Sequence, residues 1–161
     1  MQRDLATVSR DALIVFAAKY LFLVIPAIAI TYWLMAPSRT RKYLFFLGMV
    51  VGLISVIVGQ AIAYFYFDPR PFVTGHFQPL IPHVADNGFP SDHTLLSAVI
   101  AATLTTVSVP VGIILWVITG IVAVARVSAG LHHPIDVIGS ICIAAVVTMA
   151  AQRGLRPRLR Q

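Results

Sequence analysis

Long apolar runs alternate along this chain with short, tightly grouped polar clusters. Residues 12–35 are apolar apart from Lys19, residues 43–67 run for 25 positions without a charge, residues 94–125 for 32, and residues 137–152 form a shorter run. A helix that crosses a bilayer needs about 20 residues. The 32-residue run therefore fits two short helices better than one. Ser108-Val109-Pro110-Val111-Gly112 lies in its middle, and a proline followed by a glycine supplies the break. Pro134 suits the first turn of a last helix. The pattern predicts five spans, at roughly 12–35, 43–67, 92–109, 110–128 and 134–152, with a short helix around Leu5–Val8 on the membrane surface. The expected fold is an all-α, polytopic transmembrane helix bundle forming a single domain over 1–161, with no internal repeat and no low-complexity linker.

Composition strengthens that reading. The 161 residues are 58% hydrophobic and 11% charged, and the mean hydropathy is +0.87. A soluble chain of this size carries far more surface charge. The net charge of +6 does not signal nucleic acid. The basic residues are few and flank the apolar runs, where they set orientation and meet anionic head groups. The expected partner is the lipid bilayer, and the oligomeric state is left open. Cys142 is the single cysteine, so no intramolecular disulfide forms. The first apolar stretch is too long for a cleaved signal peptide, and Arg3 and Arg10 are offset by Asp4 and Asp11. Five spans put Arg39, Arg41, Lys42, Arg153, Arg156, Arg158 and Arg160 on one side, and all six Asp and five His on the other. The positive-inside bias then makes the C-terminal tail cytoplasmic and turns the polar clusters away from the cytoplasm.

Those clusters carry the candidate chemistry, and each has a plainer structural role beside it. Arg70-Pro71 follows the second span. A guanidinium is a rigid fork of donors suited to two phosphate oxygens, but it also snorkels at interfaces. Asp68 is placed to pair with it. Pro90-Ser91-Asp92-His93 opens the third span. Ser91 or Asp92 can cap the helix, whose N-terminal N–H groups also attract anions. His93 then sits in the first turn, beside any bound anion. Arg126, His132 and Asp136 surround the turn into the last helix. A carboxylate four residues from an imidazole can hold one ring nitrogen and free the other to attack. A hairpin at 108–112 brings His93 and Arg126 to the same end of the bundle, whereas one unbroken helix would separate them. No metal and no cofactor is expected: the spacing is not a zinc pattern, and glutamate is absent from the whole chain. His76, His83 and His133 are read as loop or interface residues, and Asp86-Asn87-Gly88 as a turn. Tyr64, Phe65, Tyr66 and Phe67 read as an interfacial aromatic belt.

Arg70-Pro71, Pro90-Ser91-Asp92-His93 and Arg126-x5-His132-x3-Asp136, in that order and each beside a span, resemble the type 2 phosphatidic acid phosphatase (PAP2) superfamily. The likeness covers roughly residues 60–140. Asp-Pro-Arg-Pro-Phe at 68–72, Leu80-Ile81-Pro82-His83 and Asp92 are most similar to its bacitracin-resistance-type undecaprenyl pyrophosphate phosphatase branch. The resemblance implies that His132 is a nucleophile forming a phosphohistidine, that Asp136 orients it, and that His93 protonates the leaving oxygen. It further implies that Arg70, Arg126, Ser91 and backbone N–H near Asp92 hold the phosphoryl group. Where the superfamily has a lysine seven residues before its first-motif arginine, this chain has Ala63. Many members have six spans, against five here.

The implied activity is metal-independent hydrolysis of a lipid (pyro)phosphate, above all undecaprenyl pyrophosphate, which would return a carrier lipid for cell-wall synthesis. Phosphatidate and phosphatidylglycerol phosphate are the alternative substrates. A protein that only binds or moves a phospholipid is the non-enzyme alternative. Such a binder would use the two arginines but would have no need of His93, His132 and Asp136 together.

Overall fold

The structure is a computed structural model that describes residues 5–155. Arg3, Asp4, Arg156, Arg158 and Arg160, and with them the tail expected in the cytoplasm, lie outside the described residues. Among these residues seven α-helices follow in order: α1 (Leu5–Lys19), α2 (Val24–Met35), α3 (Ser38–Phe65), α4 (Pro71–Thr74), α5 (Asp92–Thr105), α6 (Val109–Ser128) and α7 (Pro134–Leu155). There is no strand among the described residues, only an isolated bridge between Pro69 and Asn87.

The protein is a polytopic all-α bundle. Among the described residues, four stretches are long and apolar enough to cross a membrane: Ala6–Met35, Ser38–Phe65, Val109–Ser128 and Pro134–Gly154. The first joins α1 to α2 through one 3₁₀ turn at Leu21–Leu23. The separate surface helix expected at Leu5–Val8 is therefore the start of a longer helix. Ile14, Ala17 and Ala18 of α1 pack with Ala125, Ala129 and Leu131 at the end of α6, and this packing decides the course of α1. Lys19 is exposed, with its ammonium 5.3 Å from the centre of the Tyr20 ring.

The span expected at 92–109 is the 14-residue α5, too short to count among the four crossing stretches. It is nonetheless the centre of the bundle, packed against α2, α3, α6 and α7. Leu95, Ala98 and Val99 of α5 join Leu47 and Val51 of α3 and Ala144 and Val147 of α7 in one buried cluster. Ala101 and Leu104 join Ile25, Leu44 and Leu115 in a second. Alanines along α5 let neighbouring backbones approach closely, which suits helices that have no hydrophobic drive to associate in lipid. Outward-facing Leu53, Ile57, Val117, Val124 and Val146 are exposed, as the surface of a lipid-solvated bundle should be.

The predicted break is present. Ser108 is extended at φ −146° and ψ 101°, and proline occupies the first turn of α6. Gly112 explains how tightly the hairpin closes: a Cβ there would lie 2.8 Å from Thr105 Cα. The two helices meet backbone to backbone at that point. Gly112→Val should therefore cost about 1–3 kcal/mol through overpacking, read as a lowered midpoint of thermal unfolding in detergent. Gly120→Ala, with nothing within 4 Å of the added methyl, should leave the midpoint unchanged or slightly raised.

Candidate active site

Three polar clusters, far apart in sequence, converge where α5 and α7 begin and α6 ends. Arg70 is held by the extended segment between α3 and α4, and only 6% of its surface is exposed. Its Nε donates to Asp86 Oδ1 at 2.6 Å, and one terminal nitrogen donates to the Leu131 carbonyl at 2.9 Å. That same nitrogen lies 3.4 Å from His132 Nε2. Arg126, in the last turn of α6 and also buried, places a terminal nitrogen 3.2 Å from the same Nε2. Arg126 Nε is buried with no partner. Two guanidinium groups thus face one imidazole nitrogen.

The ring is set from its other side. His132 Nδ1 lies 2.9 Å from the Gly88 carbonyl. A carbonyl only accepts, so Nδ1 carries the proton and donates, and the Nε2 lone pair points between the two arginines. Burial holds the imidazole below its ordinary pKa. The Asp136 carboxylate opposes that shift, and the charges of Arg126 and Arg70 reinforce it. The neutral tautomer with a free Nε2 is the form a nucleophile requires.

The structure adds a second partner to the ring beside the expected carboxylate. Asp136 Oδ2 is 3.5 Å from His132 Nδ1, while the shorter contact goes to Gly88. Asp136 Oδ2 instead accepts the backbone N–H of His133 at 2.8 Å. Asp136 steadies the turn and stands behind the imidazole, and the Gly88 carbonyl fixes its tautomer. Gly88 leaves room for this approach: a Cβ would sit tightly, 3.0 Å from Asp136 Oδ2 and 3.1 Å from the Asp68 carbonyl.

Two further expectations change. Asp68 does not pair with Arg70; it accepts from His133 Nδ1 at 3.1 Å, and Asp86 takes Arg70. Ser91 occupies the N-cap position of α5 without a side-chain cap hydrogen bond. Its hydroxyl pairs with the Thr94 hydroxyl at 3.0 Å, and its N–H donates to Ser140 Oγ at 3.0 Å. Ser91 therefore ties α5 to α7, and no side chain caps the first N–H groups of α5. Asp92 is exposed in the first turn of α5. His93 is half-buried beside it, edge-on to Phe22 at 4.4 Å between ring centres. Arg70, His93, Arg126, His132 and Asp136 thus gather at one end of the bundle.

The sequence profile of the PAP2 superfamily matches residues 42–158. The chain belongs to the PAP2 superfamily. It is 32% identical over 140 residues to the undecaprenyl-diphosphatase BcrC of Bacillus subtilis (strain 168), covering 85% of this chain and 70% of that protein. It is 29% identical over 142 residues to the putative undecaprenyl-diphosphatase YbjG of Escherichia coli (strain K12), covering 88% and 71%. Among solved structures, Aquifex aeolicus LpxE shares the fold with a TM-score of 0.74 at 21% identity, covering 94% of this chain and 88% of that one. The PAP2-type phosphatidylglycerolphosphate phosphatase of Bacillus subtilis shares it with a TM-score of 0.52 at 22% identity, covering 97% and 89%. With this membership the chain is a lipid phosphatase.

The residues that hold this PAP2 site together were not singled out as functional in the sequence. Asn87 Nδ2 donates to the carbonyls of Ala63 at 3.2 Å and Tyr66 at 3.0 Å. Asn87 Oδ1 accepts the N–H of Asp68 at 3.0 Å and of Phe89 at 3.0 Å. The Gly88 N–H donates to the Asp68 carbonyl at 2.8 Å. One amide side chain thereby joins the end of α3 to the loop that carries both Arg70 and the Gly88 carbonyl. The position of the superfamily lysine, Ala63, contributes a backbone carbonyl to this tie. The turn signal at 86–88 was readable; its partners, about 20 residues away, were not.

Asn87→Ala removes four hydrogen bonds, each worth about 1 kcal/mol net. Turnover should fall by up to ~10²-fold, the cost of misplacing catalytic groups by about 1 Å, while the helical content seen by circular dichroism stays constant. The Asp86–Arg70 pair should be sensitive to acid. Burial works to raise the Asp86 carboxyl, but the hydrogen bond and charge of Arg70 hold it below its ordinary value of 3.8. The stabilisation is complete above that value and is lost as pH falls through the lower folded value. Asp86→Asn should flatten this acid-side dependence in thermal unfolding measured from pH 5 downward.

Proposed function

We propose that this protein hydrolyses undecaprenyl pyrophosphate to undecaprenyl phosphate and inorganic phosphate through a phosphohistidine on His132. The observation that carries the reading is the His132 ring itself, with Nδ1 donating to Gly88 and Nε2 facing Arg70 and Arg126. A terminal phosphoryl group gripped by both guanidiniums would present its phosphorus to the Nε2 lone pair. Charge that builds on its oxygens in the transition state meets fixed positive groups in a site of low polarity. The uncapped N-terminus of α5 adds donors on the same side.

The first step forms an N–P bond and breaks the bond between the terminal phosphorus and the bridging oxygen. His93 gives a proton to the departing oxygen, an effect worth about 10²- to 10⁴-fold. In the second step water attacks the phosphohistidine and gives its proton to His93. Inorganic phosphate leaves, and His132 is restored as the neutral ring. Positive charge for both steps comes from Arg70 and Arg126. Asp136 keeps the turn beneath the ring.

The two undecaprenyl-diphosphatase relatives support the choice of substrate. The distribution of charge supports the side on which the reaction runs. Arg39, Arg41 and Lys42 begin α3, whose 28 residues extend about 42 Å to the end that holds the site. The basic end faces the cytoplasm under the positive-inside bias, so the site faces the outer leaflet of the plasma membrane.

His132→Ala should abolish phosphate release from undecaprenyl pyrophosphate in detergent. Rapid quench of the wild type should yield a phosphate adduct on His132 by mass spectrometry. Turnover in His132→Ala comparable to wild type would overturn the mechanism. Faster hydrolysis of phosphatidate or phosphatidylglycerol phosphate than of the isoprenoid pyrophosphate would overturn the substrate assignment alone.

A further inference from the structure

Behind His132 lies a pair of acids, of which Asp68 has no part in the reaction outlined above. Asp136 is fully buried, and its Oδ1 has no hydrogen-bond partner. Its other oxygen is occupied by the His133 N–H at 2.8 Å. Asp68 stands across from it: one ligand-type atom from each of Asp68, His133 and Asp136 falls within a sphere of contacts no wider than 4.8 Å. Asp68 Oδ2 is already committed to His133 Nδ1 at 3.1 Å. The two carboxyl groups lie within hydrogen-bonding reach of each other, and one oxygen of the buried member is an acceptor without a donor. Two ionised carboxylates in that position repel in a poorly solvated place, and neither can donate. One proton placed between them turns repulsion into a hydrogen bond and satisfies the orphaned oxygen.

We propose that Asp68 is a positioning residue that works as a carboxylic acid: its O–H donates to Asp136 Oδ1, and its other oxygen accepts from His133 Nδ1. Asp136 is then held from two sides, by the His133 N–H and by Asp68. With Asp136 fixed, the turn 131–136 that carries His132 keeps the imidazole against the Gly88 carbonyl and Nε2 between the arginines. Asp68 also reaches the ring by its backbone, because its carbonyl accepts the Gly88 N–H at 2.8 Å and so steadies the peptide that binds Nδ1.

The surroundings move this acid toward its protonated form. Burial raises the Asp68 pKa, and the charge of Asp136 raises it further, while His133 opposes them. The ionisable groups facing the pair are His133, His132 and Tyr66, with Arg70 just beyond His132. Tyr66 is neutral at ordinary pH; burial first, then Asp68 and Asp136, raise its own pKa. Arg70 is engaged by Asp86 and Leu131. As pH rises through the raised Asp68 value the shared proton is lost, and the imidazole support loosens with it.

The inference rests on His132 being the nucleophile, and Asp68→Asn separates the possibilities. An asparagine amide can accept from His133 and donate to Asp136, which copies the protonated acid without its ability to ionise. With undecaprenyl pyrophosphate in detergent, Asp68→Asn should keep kcat within about threefold of wild type at the pH optimum. The part of the pH–kcat profile that reports loss of the shared proton should be absent from this variant. Asp68→Ala should lose ~10- to 100-fold in kcat, with KM little changed. Thermal unfolding confirms that each variant is folded. A profile for Asp68→Asn that superimposes on wild type overturns the proposal, as does full activity in Asp68→Ala. Equal losses in both variants, joined to loss of wild-type activity on chelation, would place a divalent cation among these groups and overturn it as well. An active His132→Ala would sink the nucleophile assignment and is distinguishable from all of these outcomes.

Discussion

Two guanidinium groups share one imidazole nitrogen in the interior of an apolar bundle, and the remaining architecture accommodates that fact. Like charges this close, with Arg126 Nε unpartnered and buried, are costly in a poorly polarisable setting. The bundle offsets part of the cost with the Asp86 carboxylate and the Leu131 carbonyl around Arg70. The rest is an unfilled demand for negative charge directed at Nε2. A phosphoryl group meets that demand with several oxygens at once, which is why the same arrangement binds and activates.

The scaffold that holds this arrangement is divided between rigid and irregular parts. Helices α5, α6 and α7 bring His93, Arg126 and Asp136 to one end through tight, small-residue packing. The segment 66–90 then closes over that end, anchored by Phe89, Leu80 and Ile81 in the core and set in place by hydrogen bonds. Asn87 serves as a hub between the end of α3 and the loop, and Gly88 offers the carbonyl that selects the tautomer. Ser140 and Ser91 join α7 to the start of α5 in the same manner. Polar ties of this kind specify a geometry more sharply than apolar packing, because each donor has few acceptable partners.

Much of this was legible from the residues. Long uncharged runs announced the helices, Pro110 and Gly112 the hairpin, and the grouped Arg, His and Asp positions the end of the bundle where they meet. What escaped was pairing across distance. Arg70 takes Asp86 instead of its neighbour Asp68, and nothing in local spacing distinguishes a partner two residues away from one 16 away. The role of Asn87 depends on Ala63 and Tyr66, over 20 residues upstream, so a turn-forming triplet gave no hint of it. The length of α5 was overestimated because hydropathy continues past its end. There Thr105 and Thr106 bond back to the carbonyls of Ala101 and Thr103, and the helix stops within an apolar run.

The early stop leaves α5 short of a full crossing. Fourteen residues give a rod of about 21 Å, whereas the hydrocarbon slab is about 30 Å thick. Helix α5 lies at the centre of the bundle, walled by α2, α3, α6 and α7, and the threonine hydroxyls at its end bond back to the helix's own carbonyls. A rod too short to bridge the bilayer unaided is thereby spared contact with lipid at the point where it ends.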